Sequence, residues 1–458
     1  MRFKATPLAL ATALVLSTSP AFAIDLMQSY VDARQNDPAL SIAESQNAIS
    51  KENVTQSRSV LLPQISAGAG GNRTFSSSTL EPDPSRPGFD TNPSNVSTNS
   101  NIGGRFDQSI FNYGNYAGLA ASKARAEQSD AELITANYAL IIRVSEAYFN
   151  VLTAVDTLAA ARAEERSVKR QLDNAEKRLE VGLAPITDVY DARARYNSAQ
   201  ASTILAGNTL YDAREALTEI TNVRPDAIKG LPDDFQPKAM ESLDTEIMVK
   251  NALEQNPEIA AREQALAAAE KEIQRAKSGH YPYLNGNIAY DSNALESGNP
   301  GPFQTISSDA TVINLRLTVP IFTGGLTQSQ VREAVALRDI AADQLEQAKR
   351  NVTRQIRNQD RNLEAGLAEV EARRLALISA KSALEANEVG FEVGTRTIID
   401  VLLTQQQLFA AVREYSRARH TYLVNTLRLK QAAGVLQTSD IEAINRLLTN
   451  DAEAKLQQ

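Results

Sequence analysis

The stretch Leu179-Glu180-Val181-Gly182-Leu183-Ala184-Pro185-Ile186-Thr187-Asp188-Val189 returns 212 residues later as Phe391-Glu392-Val393-Gly394-Thr395-Arg396-Thr397-Ile398-Ile399-Asp400-Val401. In each copy a glycine follows a long proline-free run, where it supplies the left-handed cap that stops a helix. An aspartate then falls in the first turn of the segment that follows, where the helix dipole favours a carboxylate. The chain therefore reverses direction twice in the same manner. Capping is one sufficient reading of Asp188 and Asp400.

Working outward, Phe111-Asn112-Tyr113-Gly114 matches Phe322-Thr323-Gly324-Gly325 at an offset of 211, so nearly a hundred intervening residues change length by one. Leu61-Leu62-Pro63 resembles His280-Tyr281-Pro282 at an offset of 219, and Asn36-Asp37-Pro38 resembles Asn256-Pro257. The difference of eight fits an insertion in the Pro/Ser/Asn-rich segment Glu81 to Ser100. Two copies of one unit are expected, residues 24–230 and 231–458, joined through the proline-punctuated segment Pro225 to Pro237.

The long segments read as helices. Ile356, Leu363, Val370, Leu377 and Leu384 recur every seven residues, and Tyr138, Ile141, Ser145, Tyr148, Leu152, Val155 and Ala159 alternate by three and four. Both are coiled-coil seams. No proline interrupts Gly114 to Glu180, so a continuous helix there would run about 100 Å at its standard rise. Helix pairs are expected over 114–220 and 325–434.

Next to the prolines the period changes to two. Ile313, Leu315, Leu317, Val319 and Ile321 alternate with Asn314, Arg316 and Thr318, and Leu284, Gly286, Ile288 and Tyr290 alternate with Asn285, Asn287 and Asp291. Ile102, Phe106 and Ile110 do the same against Arg105, Asp107 and Ser109, with Ile65, Ala67 and Ala69 as a weaker fourth run. Strands are expected at about 64–75, 101–111, 283–293 and 311–322, each about ten residues, the length that crosses a bilayer when tilted. Phe111, Tyr113, Tyr281, Tyr283 and Phe322 gather at one end, as an interfacial girdle would. A soluble sheet with one wet face shows the same alternation.

Composition limits the chemistry. Lys plus Arg number 47 against 55 Asp plus Glu, a net charge of −8, which argues against nucleic acid as a partner. Cysteine and tryptophan are absent and histidine occurs twice, at His280 and His420, 140 residues apart with no triad or HExxH spacing. No catalytic residue, cofactor or metal site is expected. At the N-terminus Arg2 and Lys4 precede the apolar run Leu8 to Leu16 and then Ala21-Phe22-Ala23, so residues 1–23 read as a secretory signal peptide.

Along nearly the whole mature length the residues resemble the outer-membrane factor family of TolC-type channels. Ser59-Val60-Leu61-Leu62-Pro63-Gln64, Gln108-Ser109-Ile110-Phe111, Ala147-Tyr148-Phe149-Asn150-Val151-Leu152 and above all the two glycine turns carry the likeness. The resemblance implies a mostly α fold with a β-barrel part: four transmembrane strands per subunit, a homotrimeric 12-stranded barrel, and an antiparallel coiled-coil tunnel of 12 helices reaching into the periplasm. It implies an exit duct for drugs or proteins. The partners implied are outer-membrane lipid, a periplasmic adaptor (membrane fusion protein), and an inner-membrane transporter of ABC or resistance-nodulation-division type. Four strands alone cannot close a barrel, which needs at least about eight, so oligomerisation is required on physical grounds as well.

Matched position by position, the family places a gate latch at Asp188, Thr187, Arg396 and Phe391, an acidic ring at the pore entrance at Asp400, and adaptor contacts at Val181, Gly182, Leu183, Val393, Gly394 and Thr395. Two positions depart from the pattern. Phe391 stands where close relatives have a tyrosine, and Leu403 where they have a second acidic residue, so a weaker latch and a less cation-selective ring are expected. The competing reading from another class is a soluble periplasmic coiled-coil adaptor or scaffold.

Overall fold

The computed structural model describes residues 23–77, 85, 94–237, 244–298 and 304–457. Residues 1–22 of the leader read over 1–23, and residues 81–84 and 86–93 of the inserted segment Glu81 to Ser100, lie outside the described residues. In chain order the elements are α1 (Leu26–Asn36), α2 (Pro38–Ser59), β1 (Gln64–Ser77), β2 (Ser94–Phe111), α3 (Tyr113–Glu180) and α4 (Ile186–Thr221). There follow β3 (Lys229–Gly230), α5 (Thr245–Gln255), α6 (Pro257–Lys277), β4 (Tyr283–Gly298), β5 (Gln304–Thr318), α7 (Leu326–Glu392) and α8 (Ile398–Ala432). The chain closes with α9 (Thr438–Asn445), β6 (Asn450–Asp451) and α10 (Ala454–Gln457).

Internal packing divides the chain into two compact units, each drawing on both halves of the sequence. One comprises residues up to Ser41, Ala136–Ala252 and Thr353–Gln458; the other Ile42–Thr135 and Leu253–Val352. The second unit holds a four-stranded antiparallel sheet of order β1-β2-β4-β5. Ile65, Phe106, Ile288 and Ile313 stand directly opposite one another across it, and one step along lie Gln64, Asp107, Asn287 and Asn314. Because neighbours along a strand point to opposite faces, one face is apolar and the other polar. On the polar face Asn287 donates to Asp107 at 2.8 Å.

The apolar face has no core beneath it. Ile65, Ile313, Leu315 and Leu317 are 80%, 75%, 68% and 64% exposed. β1 is exposed along its whole length and β5 along nearly all of it. A soluble sheet would bury that face, so the wet-face alternative does not fit. β1 and β5 are also the two edges of the sheet, with one backbone side unpaired on each.

The strands are longer than the alternation marks them. β1 reaches Ser77 rather than residue 75, β2 begins at Ser94 rather than 101, and β4 continues to Gly298 rather than 293. β5 starts at Gln304 and stops at Thr318, not 311–322. The outer ends are rich in Ser, Thr and Asn, with Val96, Leu295 and Ile306 as isolated apolar positions, so hydrogen bonding continues where the alternation has thinned out. Pro320 has no N–H for a ladder, so Val319 and Ile321 fall beyond the strand.

In the other unit the seams are the core. Ile141, Ser145, Tyr148, Leu152 and Val155 of α3 are buried, as are Ile356, Leu363 and Val370 of α7. Leu377 and Leu384, further along α7, are half-buried. The Tyr148 hydroxyl donates to the Lys229 carbonyl at 2.6 Å, tying β3 to α3. One 18-residue window of α3 is apolar enough to cross a membrane by length and composition, but 67% of it is buried in the protein, as in a core helix.

Candidate functional site

The two glycine turns are built alike. Where α3 ends, the Gly182 amide donates to the Leu179 carbonyl at 2.9 Å and the Leu183 amide to the Arg178 carbonyl at 2.7 Å. Where α7 ends, the Gly394 amide donates to Phe391 at 3.2 Å and the Thr395 amide to Gly390 at 2.8 Å. These paired bonds form a Schellman cap, which needs a left-handed residue; Gly182 and Gly394 supply φ of 75° and 77°. A Cβ at either glycine would meet nothing within 4 Å. Val181, Leu183 and Val393 are 68%, 69% and 68% exposed, and Thr395 is exposed too. The six tip residues thus form two small, apolar, solvent-facing knuckles.

The returning helices differ in their caps. Thr397 is the N-cap of α8: the Asp400 amide donates to its hydroxyl at 3.3 Å, while the Asp400 carboxylate accepts from the Thr397 amide at 3.0 Å and the Thr397 hydroxyl at 2.8 Å. The Thr397 amide, then its hydroxyl, then the charge of Arg396 hold the Asp400 carboxyl below its usual 3.8. In α4 the cap is Pro185, which has no side chain to accept, and Asp188 sits half-buried in the first turn. Thr187 beside it is exposed.

Arg396 packs over its own turn. A Cβ at Gly390 would lie 2.7 Å from Arg396 Cγ, so the arginine stem occupies the space that glycine leaves. Among the described residues the ion pairs on the turn-proximal parts of these helices include Arg193–Glu176 at 2.7 Å, Lys169–Asp173 at 2.8 Å, Arg413–Glu164 at 3.1 Å and Arg374–Glu371 at 2.7 Å; none joins Asp188 to Arg396 within the chain. Among the described residues Arg396 forms an ion pair with neither Asp188 nor Asp400; it acts on Asp400 through its charge alone. Leu403, which stands where the family pattern has a second acid, is 45% exposed.

Below the knuckles, Val168, Leu172, Ala175, Val189, Ala192, Ile398 and Leu402 form a buried cluster, with Leu179, Tyr196 and Phe391 packed on it. Phe391, of α7, is therefore part of an apolar plug shared by both helix pairs. Over its ring, 4.8 Å from the centroid, lies the guanidinium of Arg178 from α3. Sequence reasoning passed over Arg178, because a cation above a ring 213 residues away leaves no local pattern.

The two histidines carry no catalytic arrangement. His280 is exposed. His420 is buried, with Nδ1 2.8 Å from the Thr153 hydroxyl and Nε2 4.0 Å from Asp156. Asp156 also pairs with Lys455 at 2.9 Å and accepts from Ser416. Among the described residues no group of three or more His, Asp or Glu side chains is placed to hold a metal.

Comparison with known proteins gives a consistent answer. Residues 29–223 and 248–435 match the family described as outer membrane efflux protein. The outer membrane protein TolC of Vibrio cholerae serotype O1 is 35% identical over 444 residues, covering 96% of this chain and 98% of that protein. The outer membrane protein TolC of Escherichia coli K12 is 31% identical over 454 residues, covering 97% and 89%. In fold the chain is similar to the outer membrane protein VceC from Vibrio cholerae, with a TM-score of 0.70 over 89% of this chain and 96% of that one at 19% identity.

Proposed function

The chain belongs to the outer membrane efflux protein family, and on that premise we propose that it works as a homotrimeric exit duct of a tripartite efflux or secretion system. It lies in the outer membrane with a large periplasmic extension and passes small molecules or unfolded proteins outward from an adaptor and an inner-membrane transporter. The observation that carries the assembly is the sheet: one layer, apolar on one face, polar on the other, with β1 and β5 as unpaired edges. Unpaired strand edges and an apolar face with no core are tolerated in a membrane only when the sheet closes and lipid covers the outside. Three copies joined β1 to β5 give twelve strands and a lumen lined by Asp107, Asn287, Asn314 and their neighbours.

In this reading the glycine knuckles form the periplasmic mouth. Val181, Gly182, Leu183, Val393, Gly394 and Thr395 receive the adaptor, and three copies of Asp400 ring the entrance. Asp188 and Thr187 accept Arg396 from a neighbouring subunit, since within one chain the Arg396 stem packs over Gly390 and forms no ion pair with Asp188.

The test is purified protein in a planar bilayer, with cysteine pairs on β1 and β5 for cross-linking; the sequence has no native cysteine to interfere. Discrete ion conductance and a covalent, SDS-resistant trimer are expected. A monomer soluble without detergent would overturn the reading.

A further inference from the structure

We propose that Arg178, acting through the ring of Phe391, is the residue that holds the α7–α8 turn against the α3–α4 turn and so keeps the channel mouth closed. The inference rests on the reading that these turns form the periplasmic mouth.

Two helix pairs meet at this end of the chain, and a mouth opens only if one can move away from the other. What joins them within one subunit is visible. The buried cluster takes Val168, Leu172 and Ala175 from α3, Val189 and Ala192 from α4, and Ile398 and Leu402 from α8. Apolar contacts of this kind are non-directional and slide with little penalty over short distances. The Arg178–Phe391 contact is directional, because a cation is attracted to the face of an aromatic ring and not to its edge. Other directional ties between the pairs lie further from the knuckles, where Gln405 of α8 donates to Ser167 of α3 and Arg413 of α8 pairs with Glu164 of α3 at 3.1 Å; Lys169, Asp173, Glu176 and Arg193 pair among themselves, and Arg178 is the charged group that meets the second pair beside the turn itself.

Placement strengthens the tie. Arg178 is half-buried and its own carbonyl accepts the Leu183 amide, so it stands at the root of the Gly182 knuckle. Phe391 stands one residue past the matching place, which is Gly390, and its carbonyl accepts the Gly394 amide, so it too is tied into its knuckle. A displacement of either knuckle therefore moves one partner of the pair. Phenylalanine offers no hydroxyl for a polar latch, and the cation over its face gives that position a different means of holding. Arg178 touches no cargo and is a positioning residue.

The closing experiment measures single-channel open-to-closed ratios for four variants inserted as trimers, with thermal unfolding recorded alongside. Arg178→Gln is expected to raise the ratio on the order of tenfold, the equivalent of ~1.4 kcal/mol spread over three subunits. Phe391→Leu is expected to do the same, while Arg178→Lys and Phe391→Tyr, which keep the cation and the ring, stay near the unmodified protein. The double change Arg178→Gln with Phe391→Leu should exceed neither single by much, because one contact can be lost only once. Unchanged gating in Arg178→Gln, or additive effects in the double variant, would overturn the tie. Where Phe391→Leu also loosens the apolar cluster, as lowered thermal stability would reveal, Arg178→Gln decides alone, since it leaves ring and cluster intact. Conductance from the unmodified protein with silent variants sinks this inference only; no conductance at all sinks the mouth reading and this inference together.

Discussion

Thr397 and Asp400 cap each other: the carboxylate accepts from the threonine amide and hydroxyl at 3.0 and 2.8 Å, and the threonine hydroxyl accepts from the aspartate amide at 3.3 Å. The acid that the family pattern assigns to the pore entrance is thus also the structural start of α8. Its pKa is depressed, so the cap is fully formed above the ordinary carboxylate value of 3.8 and is lost as pH falls through the lower folded value. Block of the channel by a trivalent cation from the periplasmic side is accordingly expected to be the same at pH 7 and pH 5. Asp400→Ala should weaken it at both. Thr397→Ala, which removes the donor hydroxyl at a cost to the helix of about 1 kcal/mol, should shift the acid loss of block upward towards 3.8. Block that survives in Asp400→Ala would remove the acidic ring from the account.

A second carboxylate secures the start of α2. Asp37 accepts the Leu40 amide at 2.8 Å and both guanidinium nitrogens of Arg143 at 2.6 and 3.2 Å, with its side chain 3% exposed. Burial opposes its charge, but the Arg143 bonds and the Leu40 amide outweigh burial and hold the pKa below 3.8. Asp37→Ala removes a cap and strands the Leu40 amide, and should destabilise by about 1 to 3 kcal/mol. Asp37→Asn should cost less, because Asn256 serves as the N-cap of α6 with an amide side chain. Thermal unfolding in detergent measures both, and equal losses for the two variants would show that charge, not capping, dominates.

The glycine turns, the helix pairs and the register of apolar strand residues were legible because each is written in nearest-neighbour chemistry: a left-handed cap, a heptad, an alternation. Strand lengths were not, since Ser94 to Asn101 and Gln304 to Thr311 pair with only isolated apolar residues, Val96 and Ile306 among them, in place of a sustained alternation. Cross-chain contacts were harder still. The family pattern places Asp188 and Arg396 in one latch, and within the chain the Arg396 stem packs over Gly390 with no ion pair to Asp188, so a latch between them would have to be made between subunits, which no single-chain pattern spells out. Arg178 over Phe391 carries no sequence signature, because it depends on how two distant helix ends pack.

His420 makes the stability of its unit pH-dependent. Burial is the largest influence and pushes its pKa from 6.5 to about 4; Asp156 opposes this, while Arg419 and Lys455 add to it. For a histidine with a lowered folded value, the unfolded chain takes up a proton first. Stability is therefore fully present above 6.5 and falls as pH drops from there to about 4, by on the order of 3 kcal/mol. His420→Asn, which keeps a polar side chain opposite Thr153 but cannot titrate, should be less stable at pH 8 and should lose less between pH 6.5 and pH 4. Parallel unfolding curves across that range for both proteins would rule out His420 as the source.

The tip glycines separate backbone geometry from docking. Gly182 and Gly394 sit at φ of 75° and 77° with open space where a Cβ would go. An alanine there meets only backbone strain of about 1 kcal/mol, confined to the last turn of the helix. Gly182→Ala and Gly394→Ala should therefore leave trimer formation, membrane insertion and transport close to normal. Tryptophan carries similar backbone strain but adds bulk beside Val181, Leu183 and Val393, the exposed apolar surface proposed to receive the adaptor. Gly182→Trp is expected to insert and conduct in a bilayer while transport in cells is abolished, and Gly394→Trp likewise. The contrast between alanine and tryptophan at one position isolates surface shape from turn geometry. If both tryptophan variants sustain efflux or secretion, the knuckles are not where the adaptor docks; if both alanine variants abolish it, the turn conformation itself, and not the surface it presents, is what transport requires.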